Sequence, residues 1–332
     1  MRALKCAAWL FLWIVASVCI AWSFGALYYD LPIESWRNII AVPFLFVLLG
    51  LLFFLRGQGR KLLAIFFVFF PILIWWLTLE PSNNRKWQPD VAETAWADVE
   101  GDLLTFHNVR NCEYRTETDY TPRWETRAVH LSQIVGIDLV VNYWGSPYMA
   151  HPIVSFEIGD SPPICFSIET RKEIGESYSA IGGFYRQYEL IYLCADERDV
   201  IRVRTNYRRG EDAYLYRTVS SPEQAQKRFL EYVDALNSLR NHPRWYNAAT
   251  TNCTTSIRAQ RPTDQRLPWD WRILINGKAD EMLYERKLIA TGGLSFRELK
   301  ERSKINDRAR AADQDPDFSR VIRQGLPGFS QK

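Results

Sequence analysis

Apolar and polar positions are sorted along this chain, and residues 1–80 are almost entirely apolar. Three uncharged, mainly apolar runs follow one another there, at residues 6–26, 38–55 and 62–79. A helix of about 20 residues crosses a hydrocarbon core of about 30 Å. The second and third runs are apolar on every helical face, which favours lipid over a protein core as their neighbour. The pattern predicts three N-terminal transmembrane helices.

Charges in the short connections indicate how these helices are oriented. Basic residues precede the first run and crowd the second connection, whereas the first connection is more acidic: Arg2, Lys5, Arg56, Arg60 and Lys61 against Asp30, Glu34 and Arg37. Because cytoplasmic connections are rich in Lys and Arg, the N-terminus and the second connection are predicted to be cytoplasmic. A cleaved signal peptide is the alternative for the first run, but the run is long and lacks a clear cleavage site. The large C-terminal part is therefore expected on the outer side.

From about Trp87 onward the chain is broken into short apolar segments bounded by turn-forming or charged residues, which is typical of strands. Strands are predicted at residues 103–109, 112–118, 126–131, 135–143, 153–158, 164–169, 188–195, 200–204 and 214–218. The turn-rich connection at 159–163 predicts a β-hairpin, and the charged connection at 196–199 predicts a second one.

A helical period follows these strands. Ser221 is a good N-cap, Pro222 suits the first helical position, and Gln224 completes a capping box. An apolar stripe at helical spacing then predicts a core-facing side: Ala225, Phe229, Tyr232, Val233, Leu236 and Leu239. The charged stretch from Phe296 predicts a surface helix followed by a loose tail.

Strands first and helices afterwards indicate an α+β domain with an antiparallel sheet. The predicted organisation is a three-helix transmembrane anchor at 1–82, an extracytoplasmic α+β domain at 83–323 and a C-terminal tail at 324–332. The 332 residues carry a net charge of only +3, which argues against a nucleic-acid-binding surface. No Cys or His spacing is typical of a metal site and no glycine-rich phosphate loop occurs, so neither a metal nor a cofactor is expected.

Cys253 lies in a polar loop that leads into a short predicted helix, which Asn252 can cap and Pro262 ends. A thiol at a helix N-terminus meets unpaired backbone N–H groups and the positive end of the helix dipole. Both favour the thiolate, so a lowered pKa and a nucleophilic sulfur are expected. The same N–H groups could hold a tetrahedral oxyanion. The alternative is a cysteine that serves as a small buried hydrophobic residue.

The other cysteines of this domain are Cys112, Cys165 and Cys194. The outer compartment permits disulfides. Cys165 and Cys194 both fall in predicted strands and could pair, and Cys112 could pair with either. Cys253 would then remain as a free thiol.

His151 opens the strand that precedes the first predicted hairpin, and it is the candidate base. A hairpin symmetric about residue 161 would place Ser155 opposite Ser167 and His151 opposite Arg171. Glu169 would then lie diagonal to His151, within reach of its imidazole. The alternatives are a satisfied histidine at a strand end and a structural ion pair of Glu169 with Arg171.

The sequence resembles the Lnb N-terminal periplasmic domain family of bacterial membrane proteins. The similarity is carried by 167–176, Tyr188-Glu189-Leu190, Glu197-Arg198-Asp199, Tyr246-Asn247 and Asn252-Cys253-Thr254-Thr255. An Asn-Cys pair that opens a helix after a strand histidine is also similar to the circularly permuted papain-like order of lecithin:retinol acyltransferase-like and NlpC-like proteins.

This resemblance implies acyl chemistry at the periplasmic face of the bacterial inner membrane, because Lnb is associated with moving an acyl chain within a lipoprotein. It implies Cys253 as nucleophile, His151 as general base and Glu169 as the group that orients the imidazole. Asn252 or Thr254, with the Cys253 amide, would line the oxyanion site, and Ser167 and Arg171 would support it. The expected partners are membrane lipid and a lipoprotein or other cell-envelope substrate. The alternatives are a peptidoglycan peptidase or amidase and a non-catalytic envelope-binding module.

Overall fold

A computed structural model describes residues 2–31, 34–261, 266 and 268–329. The chain divides into two compact units. The first comprises Met1–Ser82, Ser177–Glu189 and Trp245–Ala248, and the second comprises Asn83–Glu176, Leu190–Arg244 and Ala249–Lys332.

Three long apolar helices dominate the first unit: α1 (Arg2–Tyr29), α2 (Glu34–Phe54) and α3 (Gln58–Thr78). Each is long and apolar enough to cross a membrane, which confirms the prediction of three spans. Trp22 of α1 packs edge-on against Phe69 and Trp76 of α3, with ring centroids 5.6 and 5.3 Å apart. Many of the other large apolar side chains point outward, as expected of helices surrounded by lipid.

Two short segments from later in the chain complete the first unit. The Tyr246 N–H donates to the Tyr188 carbonyl at 2.9 Å, and the Ala248 N–H donates to the Gly183 carbonyl at 2.7 Å. The segments 177–189 and 245–248 are therefore joined to each other by backbone hydrogen bonds.

The second unit is an α+β domain, as predicted. Its strands are β1 (Trp96–Glu100), β2 (Leu103–Arg110), β3 (Glu113–Tyr114), β4 (Tyr120–Thr121), β5 (Trp124–His130), β6 (Ile134–Trp144), β7 (Ala150–Ile158), β8 (Ser161–Arg171), β9 (Glu189–Asp196, whose first residue belongs to the first unit) and β10 (Glu211–Arg217). Its helices are α4 (Glu197–Val200), α5 (Pro222–Asn241), α6 (Cys253–Ala259), α7 (Ala279–Glu285), α8 (Phe296–Arg302), α9 (Asn306–Ala311) and α10 (Phe318–Val321).

Eight of the described strands form one sheet. Seven of them follow the order β1-β2-β9-β8-β7-β6-β10, and β5 pairs with β2. Strands β3 and β4 form a separate two-stranded sheet. The sheet is mixed rather than purely antiparallel as predicted, because β2 and β9 pair in parallel at Arg110 and Ala195. Strands β2 and β9 are far apart in the sequence, so no turn motif could predict that they pair.

Apolar side chains fill both faces of the sheet. On one face, the rings of Phe156 and Phe166 pack against Phe229 and Tyr232 of α5, with centroids 4.9 to 5.7 Å apart. The capping box at Ser221 and the buried stripe of this helix agree with the sequence pattern. On the other face, Ile153 belongs to a core cluster that extends to α9 and α10. The C-terminal stretch therefore forms three short helices rather than one surface helix, and even Leu326 is buried.

The predicted register of the hairpin between β7 and β8 is wrong by two residues. Ser155 pairs with Cys165 rather than with Ser167, and Ser167 pairs with Ile153. A β-bulge between Phe156 and Ile158 shifts the turn away from the symmetric arrangement. Because the shift is even, each side chain keeps its face of the sheet.

The second predicted hairpin does not form. Residues 197–200 are helix α4, and Val203–Tyr207 is a π-helical turn rather than a strand. Asp196 caps α4 by accepting a hydrogen bond from the Arg198 N–H at 2.8 Å. Buried acids of α4 bind distant bases, which the local pattern does not reveal: Asp199 contacts Arg110 and Glu197 contacts Arg323.

Candidate active site

The Cys253 sulfur lies at the first position of α6. The Asn252 side chain accepts a hydrogen bond from the Thr255 N–H at 2.9 Å, and the Thr255 hydroxyl accepts one from the Asn252 N–H at 2.9 Å. This reciprocal capping box fixes where the helix begins. Asn252, predicted as an oxyanion-site residue, is thus a helix cap in this structure.

Asn276 contacts the sulfur directly. Its side-chain Nδ2 donates to the Cys253 Sγ at 2.9 Å, while its Oδ1 accepts from the Thr254 hydroxyl at 2.6 Å. The Thr254 contact fixes which end of the amide faces the sulfur. No local pattern singles out this residue, because Asn276-Gly277 is typical of a turn and is separated in sequence from Cys253.

The turn that carries Asn276 is tied to the loop between β6 and β7. The Gly277 N–H donates to the Tyr148 carbonyl at 3.1 Å, and the Tyr143 hydroxyl donates to the Gly277 carbonyl at 3.0 Å. A Cβ atom at Gly277 would lie 2.4 Å from the Pro147 carbonyl oxygen. Only glycine fits this close approach, so the position of Asn276 is set by the loop.

A relay of hydrogen bonds fixes the protonation of the His151 ring. The Ser167 hydroxyl donates to the Glu169 carboxylate at 2.7 Å, so its oxygen accepts from the His151 Nε2, also at 2.7 Å. This network assigns the neutral ring's proton to Nε2. The Nδ1 atom accepts no hydrogen bond from any described residue and is left as the basic nitrogen.

The Glu169 end of this relay contacts a charged side chain, Arg204, that the sequence pattern does not single out. Arg204, from the π-helical turn, places its guanidinium 3.4 Å from Glu169 and 3.2 Å from Glu211. The His151 and Arg204 interactions help to hold the pKa of the buried Glu169 carboxyl well below its usual range, despite burial. Arg204 lies in a segment for which the sequence predicts a strand, and no local signal distinguishes it from other arginines.

The electrostatic environment differs from the one expected for Cys253. Burial raises the pKa of the thiol to about 11, although the Thr254 hydroxyl and nearby backbone N–H groups favour the thiolate. The predicted lowering of the Cys253 pKa is therefore wrong, since the loss of solvation of the thiolate outweighs the stabilisation by the helix N-terminus. Burial, followed by the charge of Arg204, lowers the pKa of His151, so its ring is neutral near pH 7.

The structure brings His151, Ser167 and Glu169 together, and it packs α6 against β7 and β8, the strands that carry them. Within the described residues, no hydrogen bond joins the Cys253 sulfur to His151. The Arg171 guanidinium donates to the Val91 and Ala92 carbonyls, at 2.9 and 2.6 Å. Because Ser167 pairs with Ile153 rather than with Ser155, Arg171 does not lie opposite His151 as the sequence predicted. Its supporting role stays a prediction.

All six cysteines are described, and each is free. The disulfides considered for Cys112, Cys165 and Cys194 are therefore not formed. Burial instead raises the pKa of all three thiols. The described residues also contain no group of three or more His, Cys, Asp or Glu side chains placed to hold a metal ion.

We predict that alkylation of Cys253 by iodoacetamide accelerates steadily from about pH 7 to pH 10, by about tenfold per pH unit, because only the thiolate reacts. The raised pKa of about 11 places the midpoint above this window. Rates would be measured by mass spectrometry of the Cys253 peptide in the full chain. A rate that is already constant between about pH 6 and 8 would contradict this charge state.

A scan against protein-family models matches residues 120–277 to the Lnb N-terminal periplasmic domain. This segment belongs to that family. The matched range includes Cys253, His151, Glu169 and Asn276, so the Lnb domain contains the whole candidate site. Searches of curated proteins and of solved structures found no match. With the three membrane-spanning helices, the match indicates a membrane protein with a periplasmic domain.

Proposed function

We propose that the Lnb domain is a thiol acyltransferase or hydrolase that acts on a lipid-linked or cell-envelope substrate at the inner membrane, with lipoprotein acyl transfer as the favoured reaction. The hydrogen-bond relay carries this proposal. It leaves His151 neutral, with its proton on Nε2 and its Nδ1 available as a base. A histidine oriented through a hydroxyl by a buried carboxylate matches the base-and-orienting-group pattern of nucleophilic catalysis.

The first step is thioester formation. As the Cys253 sulfur attacks the ester carbonyl, its proton passes to His151 Nδ1. Because the pKa of the thiol is about 11, the base must act during the attack rather than before it. The two side chains are not hydrogen-bonded in the free chain, and the step requires them to approach when substrate binds.

The remaining steps follow from the same groups. The carbonyl oxygen gains a negative charge in the tetrahedral intermediate, which the backbone N–H groups at the start of α6 stabilise. The imidazolium then protonates the leaving alcohol and leaves an acyl group on Cys253. An amine completes acyl transfer by attacking this thioester, and water completes hydrolysis. Glu169, through Ser167, stabilises the imidazolium between the two proton transfers.

Acyl-enzyme trapping tests this proposal. The full chain in detergent micelles would be incubated with the p-nitrophenyl ester of a fatty acid, followed by mass spectrometry. We expect one acyl adduct on Cys253 that neutral hydroxylamine removes, and no adduct in Cys253→Ala. Cys112→Ala is the matched control, because Cys112 is also a buried free thiol of raised pKa. Equal labelling of Cys253→Ala and the unmodified chain would refute the proposal.

The substrate class is tested with the same protein. Diacylated lipopeptide and muropeptides would be supplied separately, and the products analysed. A transferase or hydrolase of lipid-linked substrates releases the acyl chain of the lipopeptide and leaves the muropeptides intact. Cleavage of muropeptides alone would instead establish a peptidoglycan peptidase or amidase.

A further inference from the structure

The segment Ser177–Tyr185 is an uncharged stretch of nine residues in the middle of the chain. It belongs to the same compact unit as the three membrane-spanning helices. Its Ile181 and Phe184 side chains are 62% and 55% exposed, while Gly182 and Gly183 between them are buried. The loop thus turns these two glycines inward and two large apolar side chains outward, which is the reverse of a water-facing loop.

Contacts to the helix ends determine where this loop lies. Tyr185 stacks on Tyr29, the last residue of α1, with ring centroids 5.3 Å apart. It also crosses α1 so closely that a Cβ at Gly25 would lie 1.9 Å from its hydroxyl oxygen. These contacts fix the loop against the C-terminal end of α1.

Arg186 fixes the other side of the loop at the end of α3. Its guanidinium donates to the carbonyls of Trp76 and Leu79, each at 2.7 Å, and lies 4.0 Å from the Trp76 ring centroid. It therefore donates to backbone carbonyls at the C-terminal end of α3 and just beyond it. The Trp76 indole donates to Asp30 at 2.6 Å, which ties the ends of α1 and α3 together.

We propose that the loop Ser177–Arg186 is a membrane-interface element whose Ile181 and Phe184 enter the outer leaflet of the bilayer. The helices that hold the loop cross that bilayer, so the loop lies at the level where they leave the hydrocarbon core. Tyr, Trp and Arg at this level are typical of the interface, because their polar ends reach water while their apolar parts remain in lipid. The exposed apolar side chains continue the lipid-facing surface of the spans.

The occupant of this surface is lipid rather than a protein partner. The loop has no charge before Arg186, and Arg186 is committed to the end of α3. A lipid surface requires only apolar contact, and an interfacial segment gains binding energy in proportion to the apolar area that it buries. This proposal is independent of the thiol chemistry, so a Cys253→Ala chain gives the same result.

Site-directed spin labelling in lipid nanodiscs tests the proposal. The full chain with Cys6→Ser, Cys19→Ser and Cys253→Ala would carry one label, at Ile181→Cys or Phe184→Cys, since Cys112, Cys165 and Cys194 are buried. Collision rates with oxygen, which enriches in lipid, and with a water-soluble nickel chelate would be compared. Phe67→Cys on α3 is the lipid-facing reference, and Val99→Cys on β1 is the water-facing reference.

We expect the oxygen-to-nickel collision ratio at residues 181 and 184 to shift from the Val99 value toward the Phe67 value. A ratio equal to the Val99 value at both positions overturns the proposal. Label mobility distinguishes burial in protein from insertion in lipid: an immobile label shielded from both reagents also overturns it, as that pattern indicates protein contact.

Discussion

Replacing His151 with glutamine should slow thioester formation at Cys253 by about 10²–10⁴-fold, the usual contribution of a positioned general base. Glutamine retains a side-chain N–H that can donate to the Ser167 oxygen, but it has no basic nitrogen. The thiol has a pKa of about 11 and is only a small fraction thiolate at neutral pH, so the loss should be large. The release of p-nitrophenol from the ester, followed in a stopped-flow instrument, measures the rate.

The pH profile distinguishes loss of the base from loss of structure. Burial and Arg204 lower the pKa of His151 below its ordinary value of 6.5, so the imidazole stays neutral as the pH falls to that value. The unmodified chain should therefore keep its rate down to about pH 6.5 and lose it only below. His130→Gln is the matched control, because His130 is exposed and pairs with Asp102 at the surface. An unchanged rate in His151→Gln would rule out the base.

Replacing Asp199 with asparagine should lower the free energy of unfolding of the periplasmic domain by about 3–5 kcal/mol, because it removes one partner of a buried ion pair. Asp199 is fully buried and accepts from the Arg110 guanidinium at 2.7 Å and from the Cys112 N–H at 2.7 Å. The substitution keeps the shape but leaves the buried Arg110 charge with only the more distant Asp90 carboxylate, 4.0 Å away, as its ion-pair partner. Chemical unfolding of the full chain in micelles, followed by circular dichroism, measures the change.

A surface pair provides the comparison. Arg115 and Asp119 also form a close ion pair, but both side chains are more than half exposed. Asp119→Asn should therefore change the free energy of unfolding by less than about 1 kcal/mol, as is usual for solvated pairs. Equal effects of the two substitutions would show that the Asp199 charge does not stabilise the domain.

The features that sequence predicted well are those that a local pattern determines. The three spans follow from uninterrupted apolar runs, and α5 follows from its capping box and its 3.6-residue stripe. The start of α6 at Cys253 follows from the Asn252 cap in the same way. The shared face of His151, Ser167 and Glu169 was predicted despite a wrong register, because a two-residue shift preserves alternation.

The features that sequence missed depend on contacts between distant residues. Helix α4 replaces a predicted turn because Glu197 and Asp199 form ion pairs with arginines far along the chain, Arg323 and Arg110. Asn276 reaches the sulfur only through the fold, as does Arg204 at Glu169. The raised pKa of the Cys253 thiol likewise depends on how completely the surrounding chain excludes water, which no short motif encodes.

The close approach at Gly277 fixes the loop before β7 and the Asn276 amide in position relative to each other. Tyr148 and Met149 at the tip of that loop are exposed, whereas the Tyr148 backbone carbonyl is bound to Gly277. A molecule that displaces this tip must also shift Asn276, and so lengthen or shorten its hydrogen bond to sulfur. The position of the loop tip and the hydrogen bond to the nucleophile therefore depend on each other.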